Sequence, residues 1–106
     1  MSEKVFYGKG VRRIKNEDSE LYGAIENLDM NVWNGNSLDY RTQKLIAIAI
    51  SATNHESSSL MKQVSKAKKE LGISRDEMMD VLKVVLLTSG MPPFNRALEV
   101  VNKLYD

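Results

Sequence analysis

The sequence predicts an all-α, single-domain helical bundle of about five helices, and three observations carry that prediction. Apolar residues recur at three- and four-residue intervals through most of the chain, which is the period of a helix face. Strand-like alternation is nowhere sustained. Turn-forming residues at Asn34-Gly35-Asn36, at Gly72 and at Gly90 with Pro92-Pro93 cut the chain into helix-length pieces.

The elements follow in order. Residues 1–15, with Gly8-Lys9-Gly10 ahead of Val11-Arg12-Arg13, read as an extended or poorly ordered N-terminal arm, and their glycine spacing fits no phosphate-binding loop. The helical domain is then expected over residues 16–106. Its first helix runs from about Asn16 to Trp33 on Leu21, Ala24, Ile25, Leu28 and Val32, with Glu17, Asp18 and Glu20 in the first turn, where the helix dipole favours negative charge. Ser37 or Asp39 can cap a second helix reaching about Ser51, whose stretch Leu45 to Ile50 is apolar on every face. A third helix is expected from near His55 to Gly72, with Leu60, Val64, Ala67 and Leu71 as its buried stripe and Gly72 as a left-handed C-terminal cap. Ser74-Arg75-Asp76-Glu77 matches a capping box and starts a fourth helix, again apolar over most of its circumference through Met78, Met79, Val81, Leu82 and Val84 to Leu87. The last helix carries Phe94, Ala97, Leu98, Val101 and Leu104 on one face.

Two helices that need cover on nearly every side are hard to satisfy within one chain of 106 residues. The sequence therefore predicts a homo-oligomer.

Composition removes several classes of function. Fifteen Lys+Arg against 14 Asp+Glu leave a net charge of +1, and no basic stripe is interleaved with aromatics, so a nucleic-acid partner is not expected. The apolar runs are far shorter than the roughly 18–20 residues of a bilayer span, so no membrane partner is expected either. Met1 to Phe6 shows no charged lead ahead of an apolar run, which makes the cytoplasm the expected location. The chain holds no cysteine, which removes disulfides, thiol nucleophiles and thiolate ligands from its 106 residues.

The chain's single histidine, His55, sits beside Glu56 and ahead of Ser57, Ser58 and Ser59. This spacing is not HExxH, and adjacent helix residues point about 100° apart, so no metal is expected, nor any other cofactor. A serine with His55 as base would form part of a triad, but no Gly-x-Ser-x-Gly elbow accompanies it. First-turn serines that satisfy free backbone amides account for the same residues.

The run Leu38-Asp39-Tyr40-Arg41-Thr42-Gln43-Lys44-Leu45-Ile46-Ala47-Ile48-Ala49-Ile50-Ser51-Ala52, followed by Asn54 and continuing through Gly72, Glu77 and Gly90 towards Pro93, resembles the carboxymuconolactone decarboxylase and alkylhydroperoxidase D-like family over about residues 37–104. The resemblance implies an all-helical fold that assembles into trimers or hexamers. In the family's peroxidase branch a Cys-x-x-Cys-x-x-x-His motif opens the third helix and a glutamate in the preceding helix relays the proton. Those positions fall here on Glu56, Ser59, Gln63 and Lys44, and all four are changed. Thiol peroxidase or disulfide reductase chemistry is therefore not expected, because serine cannot cycle through a disulfide. If the chain is an enzyme, the resemblance implies a decarboxylase-like lyase acting on a small carboxylated metabolite. His55, Glu56, Ser59 and Gln63 are then the candidate catalytic positions, and Lys44 and Arg41 the candidates for holding a carboxylate. The alternative is a catalytically silent oligomeric scaffold or binding module.

Overall fold

The computed structural model describes residues 9–33, 37–54 and 57–105, all of whose regular structure is helical. Six helices follow in order: α1 (Lys9–Glu17), α2 (Ser19–Val32), α3 (Tyr40–Thr53), α4 (Ser57–Leu71), α5 (Arg75–Ser89) and α6 (Met91–Leu104). The chain divides into two compact units, residues 1–40 and residues 41–106.

The first unit corrects the expectation of an extended arm through residue 15, because α1 is helical from Lys9. Val11 and Ile14 lie three apart on one side, and Arg13 pairs with Glu17 one turn on at 3.1 Å, both features of a helix surface. The two glycines dominate a reading by turn residues, whereas the apolar period starts right behind them. This helix raises the count from about five to six. Asp18 separates α1 from α2 by one residue, its carboxylate accepting from the Leu21 amide at 3.1 Å as an N-cap. In α2 the expected apolar stripe has the right period but stays largely in solvent: Leu21, Leu28 and Val32 are exposed, and the buried residue is Asp29. Asp29 accepts from the Trp33 indole at 2.8 Å, and the Trp33 ring meets Tyr40 edge to face.

In the second unit α6 packs against both α4 and α5. The core consists of Ile48 and Ala52 from α3, Leu60, Val64 and Ala67 from α4, Ile73 from the α4–α5 turn, Met78, Leu82 and Val85 from α5, and Ala97, Val100 and Val101 from α6. Burying each large aliphatic side chain contributes roughly 1.5–3 kcal/mol, so this cluster dominates the stability of the unit. Met79, Leu71, Phe94, Leu98 and Leu104 pack around it, as the sequence period requires. Cover is incomplete on the two helices that are apolar all round. Ile46 and Ile50 of α3 are exposed, as are Val84 and Leu87 of α5, with Leu87 at 87% of full exposure.

Local signals set the boundaries. The capping box is present in full, with Ser74 Oγ accepting from the Glu77 amide at 3.1 Å and Glu77 Oε1 accepting from the Ser74 amide at 2.9 Å. Glu77 also ties α3 to α5. Arg41 grips its carboxylate with both guanidinium arms, each contact at 2.8 Å. These bonds, Arg41 first and the Ser74 amide second, hold the Glu77 carboxyl at about 2, well below its usual 4.5. At the other end of the unit, Tyr105 donates its hydroxyl to the Ile73 carbonyl at 2.8 Å and Arg75 donates to Asn102 at 2.7 Å, fastening the end of α6 to the α4–α5 turn.

Two glycines hold backbone conformations that other residues rarely adopt. Gly72 ends α4 at φ +62°, and Gly90 joins α5 to α6 at φ +93° and ψ 179°. Pro92 and Pro93 do not break the chain before α6. They lie in its first turn, where a proline lacks no useful amide, and Pro93 is buried.

Gly90→Ala should lower unfolding stability by about 1–3 kcal/mol in urea titration, with strain in the backbone as the cause. Crowding is excluded as that cause, since an added Cβ would meet only Pro92 Cδ at 3.8 Å. A loss below a few tenths would show that this turn relaxes freely.

The lowered Glu77 carboxyl also fixes a pH dependence. Because the folded value lies below the unfolded one, its contribution is complete above about 4.5 and is lost as pH falls towards about 2. The difference in melting temperature between wild type and Glu77→Gln should therefore shrink over that interval. Carbon-detected NMR titration should find Glu77 moved up towards its ordinary value in Arg41→Ala, with the Ser74 amide still holding it below. An unchanged Glu77 titration in that variant would remove Arg41 as the cause.

Candidate functional site

Helix α3 turns one strip of side chains into the second unit: Lys44, Ile48 and Ala52, four residues apart, are all buried. Ile48 and Ala52 belong there as apolar groups. Lys44 is carried in by the same register, with 1% of its surface exposed. Ser51 lies beside this strip, seven residues from Lys44 and roughly 10 Å along the helix axis at 1.5 Å per residue. A buried lysine is uncommon in a core built only for packing, because taking an ammonium out of water is costly.

Helix α4 supplies the facing polar group. Among its buried Leu60, Val64 and Ala67 it places Gln63, also with 1% exposure. The Gln63 amide nitrogen donates to Ser51 Oγ at 2.6 Å across to α3, and to Ser59 Oγ at 3.4 Å one turn back on its own helix. Both N–H groups of the amide are thereby directed at serine oxygens. Its carbonyl oxygen, Oε1, is buried and has no hydrogen-bond partner. Most buried polar atoms are satisfied, and leaving one unsatisfied costs about 1–3 kcal/mol. Two hydroxyls and one buried acceptor oxygen thus meet where α3 and α4 cross, and Lys44 is buried farther along α3.

Of the residues that the sequence singles out, Ser59 and Gln63 are brought into contact, and Lys44 is placed on the α3 strip adjoining Ser51. Arg41 lies on the same helix as Lys44, with its guanidinium engaged by Glu77. His55 and Glu56 lie outside the described residues. Among the described residues no three acidic or histidine side chains gather as metal ligands would. Sequence reasoning missed Ser51, the partner that fixes the Gln63 amide. Its signal was present: a serine seven residues after Lys44 falls near the same side of an α-helix, so a polar pair recurs along an otherwise apolar segment.

Comparison with known sequences bears on the family. The sequence profile of the carboxymuconolactone decarboxylase family matches residues 19–103, from the start of α2 almost to the end of α6. The chain is 47% identical over 104 residues to the uncharacterized protein MJ0742 of Methanocaldococcus jannaschii, covering 98% of this chain and 100% of that one. It is 35% identical over 88 residues to the uncharacterized protein MJ1511 of the same organism, covering 83% of this chain and 81% of that one. Neither name carries an activity. The profile match and the near full-length likeness place the chain in the carboxymuconolactone decarboxylase family.

Proposed function

We propose that this chain is a non-thiol member of the family that binds a small carboxylated metabolite at the polar face between α3 and α4. The observation that supports this reading is the burial of Lys44 and Gln63, at 1% exposure each, in a core that is otherwise almost wholly apolar. An ammonium in low dielectric attracts a carboxylate more strongly than it would in water. The Ser51 and Ser59 hydroxyls can turn to donate or accept, which suits the remaining oxygens of such a ligand. The family's name points to one candidate of this class, a carboxylated muconolactone, whose decarboxylation would need a group to move a proton near the lactone. His55 and Glu56 are the sequence's candidates for that role. Thiol peroxidase turnover is no part of the proposal, since the 106 residues contain no cysteine and a serine hydroxyl stands at Ser59.

The test is calorimetry and thermal shift with a panel of small mono- and dicarboxylates and with carboxymuconolactone itself. A ligand present at 100 times its dissociation constant should stabilise the protein by about 2.7 kcal/mol, a rise of several degrees in melting temperature. Lys44→Met should abolish that rise while its helical circular dichroism stays intact. Equal shifts in wild type and variant would remove Lys44 from the site, and no shift with any carboxylate would end the reading. In parallel, hydrogen peroxide with a dithiol should be consumed no faster than without protein.

A second reading, the silent oligomeric scaffold, draws support from the exposed Ile46 and Ile50 on α3 and the exposed Val84 and Leu87 on α5. Both readings share self-association, and light scattering should give a particle of three or more chains. A uniform monomer would overturn it.

A further inference from the structure

The charges of the second unit are not spread evenly, and from their placement we propose that the outer face of α4 binds the phosphate backbone of duplex nucleic acid without regard to base sequence. This goes beyond the carboxylate reading and does not depend on it.

Lys62, Lys66, Lys68, Lys69 and Arg75 fall within fourteen residues that contain a single carboxylate, Glu70. The balance of 15 basic to 14 acidic residues over the whole chain, from which no nucleic-acid partner is expected, averages this segregation away. On α4 the buried Leu60, Gln63, Val64 and Ala67 take one side, and spacings of four and three place Lys62, Lys66 and Lys69 in a line on the other. Lys62 and Lys69 are exposed, and Lys66 meets Glu70 at 3.6 Å, a long pair of the kind that contributes little at a surface. More positive charge gathers at the end of α6, where Lys68 donates to the Leu104 carbonyl and Arg75 donates to Asn102 at 2.7 Å, next to the exposed Lys103. Elsewhere on this unit Arg41 and Lys83 are matched by Glu77 at 2.8 Å and by Asp80 at 3.3 Å.

The kind of partner follows from what the face lacks. Among the described residues α4 exposes no large apolar side chain, whereas the core of a protein–protein interface is apolar and depleted in charge. Single strands are held by bases stacked on aromatic rings. Tyr105, the aromatic at this end of the unit, has its ring 5.1 Å from the Lys68 ammonium and its hydroxyl on the Ile73 carbonyl, so it is already engaged. What remains is a line of charge on a straight, rigid element. From Lys62 to Lys69 it runs roughly 10 Å at 1.5 Å per residue, and a duplex presents about six phosphate charges over that length. Lysine brings a point charge and no planar fork, so it neutralises phosphates without reading bases.

The test is fluorescence anisotropy of a labelled DNA duplex of about 20 base pairs, in two unrelated sequences, between about 50 and 200 mM salt. Both sequences should bind equally, and three phosphate contacts should cut the affinity about fortyfold over that range. Lys62→Gln, Lys66→Gln and Lys69→Gln together should weaken binding about tenfold or more at the lower salt and flatten its salt dependence to about twofold. Should that variant fail to fold, Lys62→Gln with Lys69→Gln, both exposed, carries the same comparison. Arg12→Gln, Arg13→Gln and Lys15→Gln, which neutralise the equally exposed cations of α1, should change the affinity less than about twofold. Loss of binding in the α1 variant instead, a preference between the two sequences, or tighter binding of a single strand than of the duplex would each overturn the assignment. So would equal binding of poly-glutamate, which would make this a surface for acidic protein segments, and so would no anisotropy change at the lowest salt.

Discussion

Helix α3 can turn only one strip of side chains into the core of the second unit, and that strip contains a lysine. The register is set by Ile48 and Ala52, which lock into the cluster with Leu60, Val64 and Val101. A side chain four residues before Ile48 must then point the same way, whatever its chemistry. Rotating α3 to bring Ile46 and Ile50 inside would free Lys44 and satisfy more apolar surface. It would also withdraw Ile48 from full burial and part Ser51 from Gln63. The observed register therefore exposes two isoleucines and buries Lys44.

The clamp between Arg41 and Glu77 reinforces that register from the start of the helix. Arg41 lies three residues before Lys44, and its two-armed grip on Glu77 holds α3 against the N-terminus of α5. Glu77 is at the same time the closing residue of the α5 capping box. One carboxylate thus sets the start of α5 and the attachment of α3, which in turn fixes where Lys44 and Ser51 stand opposite α4. The resemblance offers Arg41 and Lys44 together as carboxylate holders. The structure separates their settings: Arg41 is half exposed and engaged with Glu77, and Lys44 is buried in the core.

Much of the second unit was legible in the sequence because its signals are local and strong. The capping box at Ser74, the left-handed cap at Gly72 and the stripes on α4 and α6 are each written within a few residues of where they act. The first unit was harder. A glycine pair at Gly8 and Gly10 obscured a short helix whose amphipathic period begins at Val11, and the regular stripe of α2 gave no hint that Asp29 would be the buried residue. Of the candidate site, Lys44, Ser59 and Gln63 were legible as positions, through resemblance. Their contacts were not, because a bond such as that of Gln63 with Ser51 depends on how two helices cross, which no spacing along one helix records.

The replaced family positions make physical sense as a set. A thiol pair works by forming and breaking a bond, and needs its sulfurs reachable and its relay group able to titrate. Ser59 and Gln63 can do neither, but held as they are they do something a thiol does poorly: they fix a neutral amide in one orientation inside the protein. The amide gives its N–H groups to two hydroxyls and keeps a single acceptor oxygen, buried and without a hydrogen-bond partner. Such a group exchanges no electrons and discriminates by hydrogen bonding alone, an interaction that is worth most where water is excluded. By the resemblance, Lys44 stands where the peroxidase branch keeps a carboxylate, which would put a cation in place of a proton acceptor at that position. With no cysteine in the 106 residues, turnover by a thiol pair is closed to this chain, while the helical framework of the family is kept.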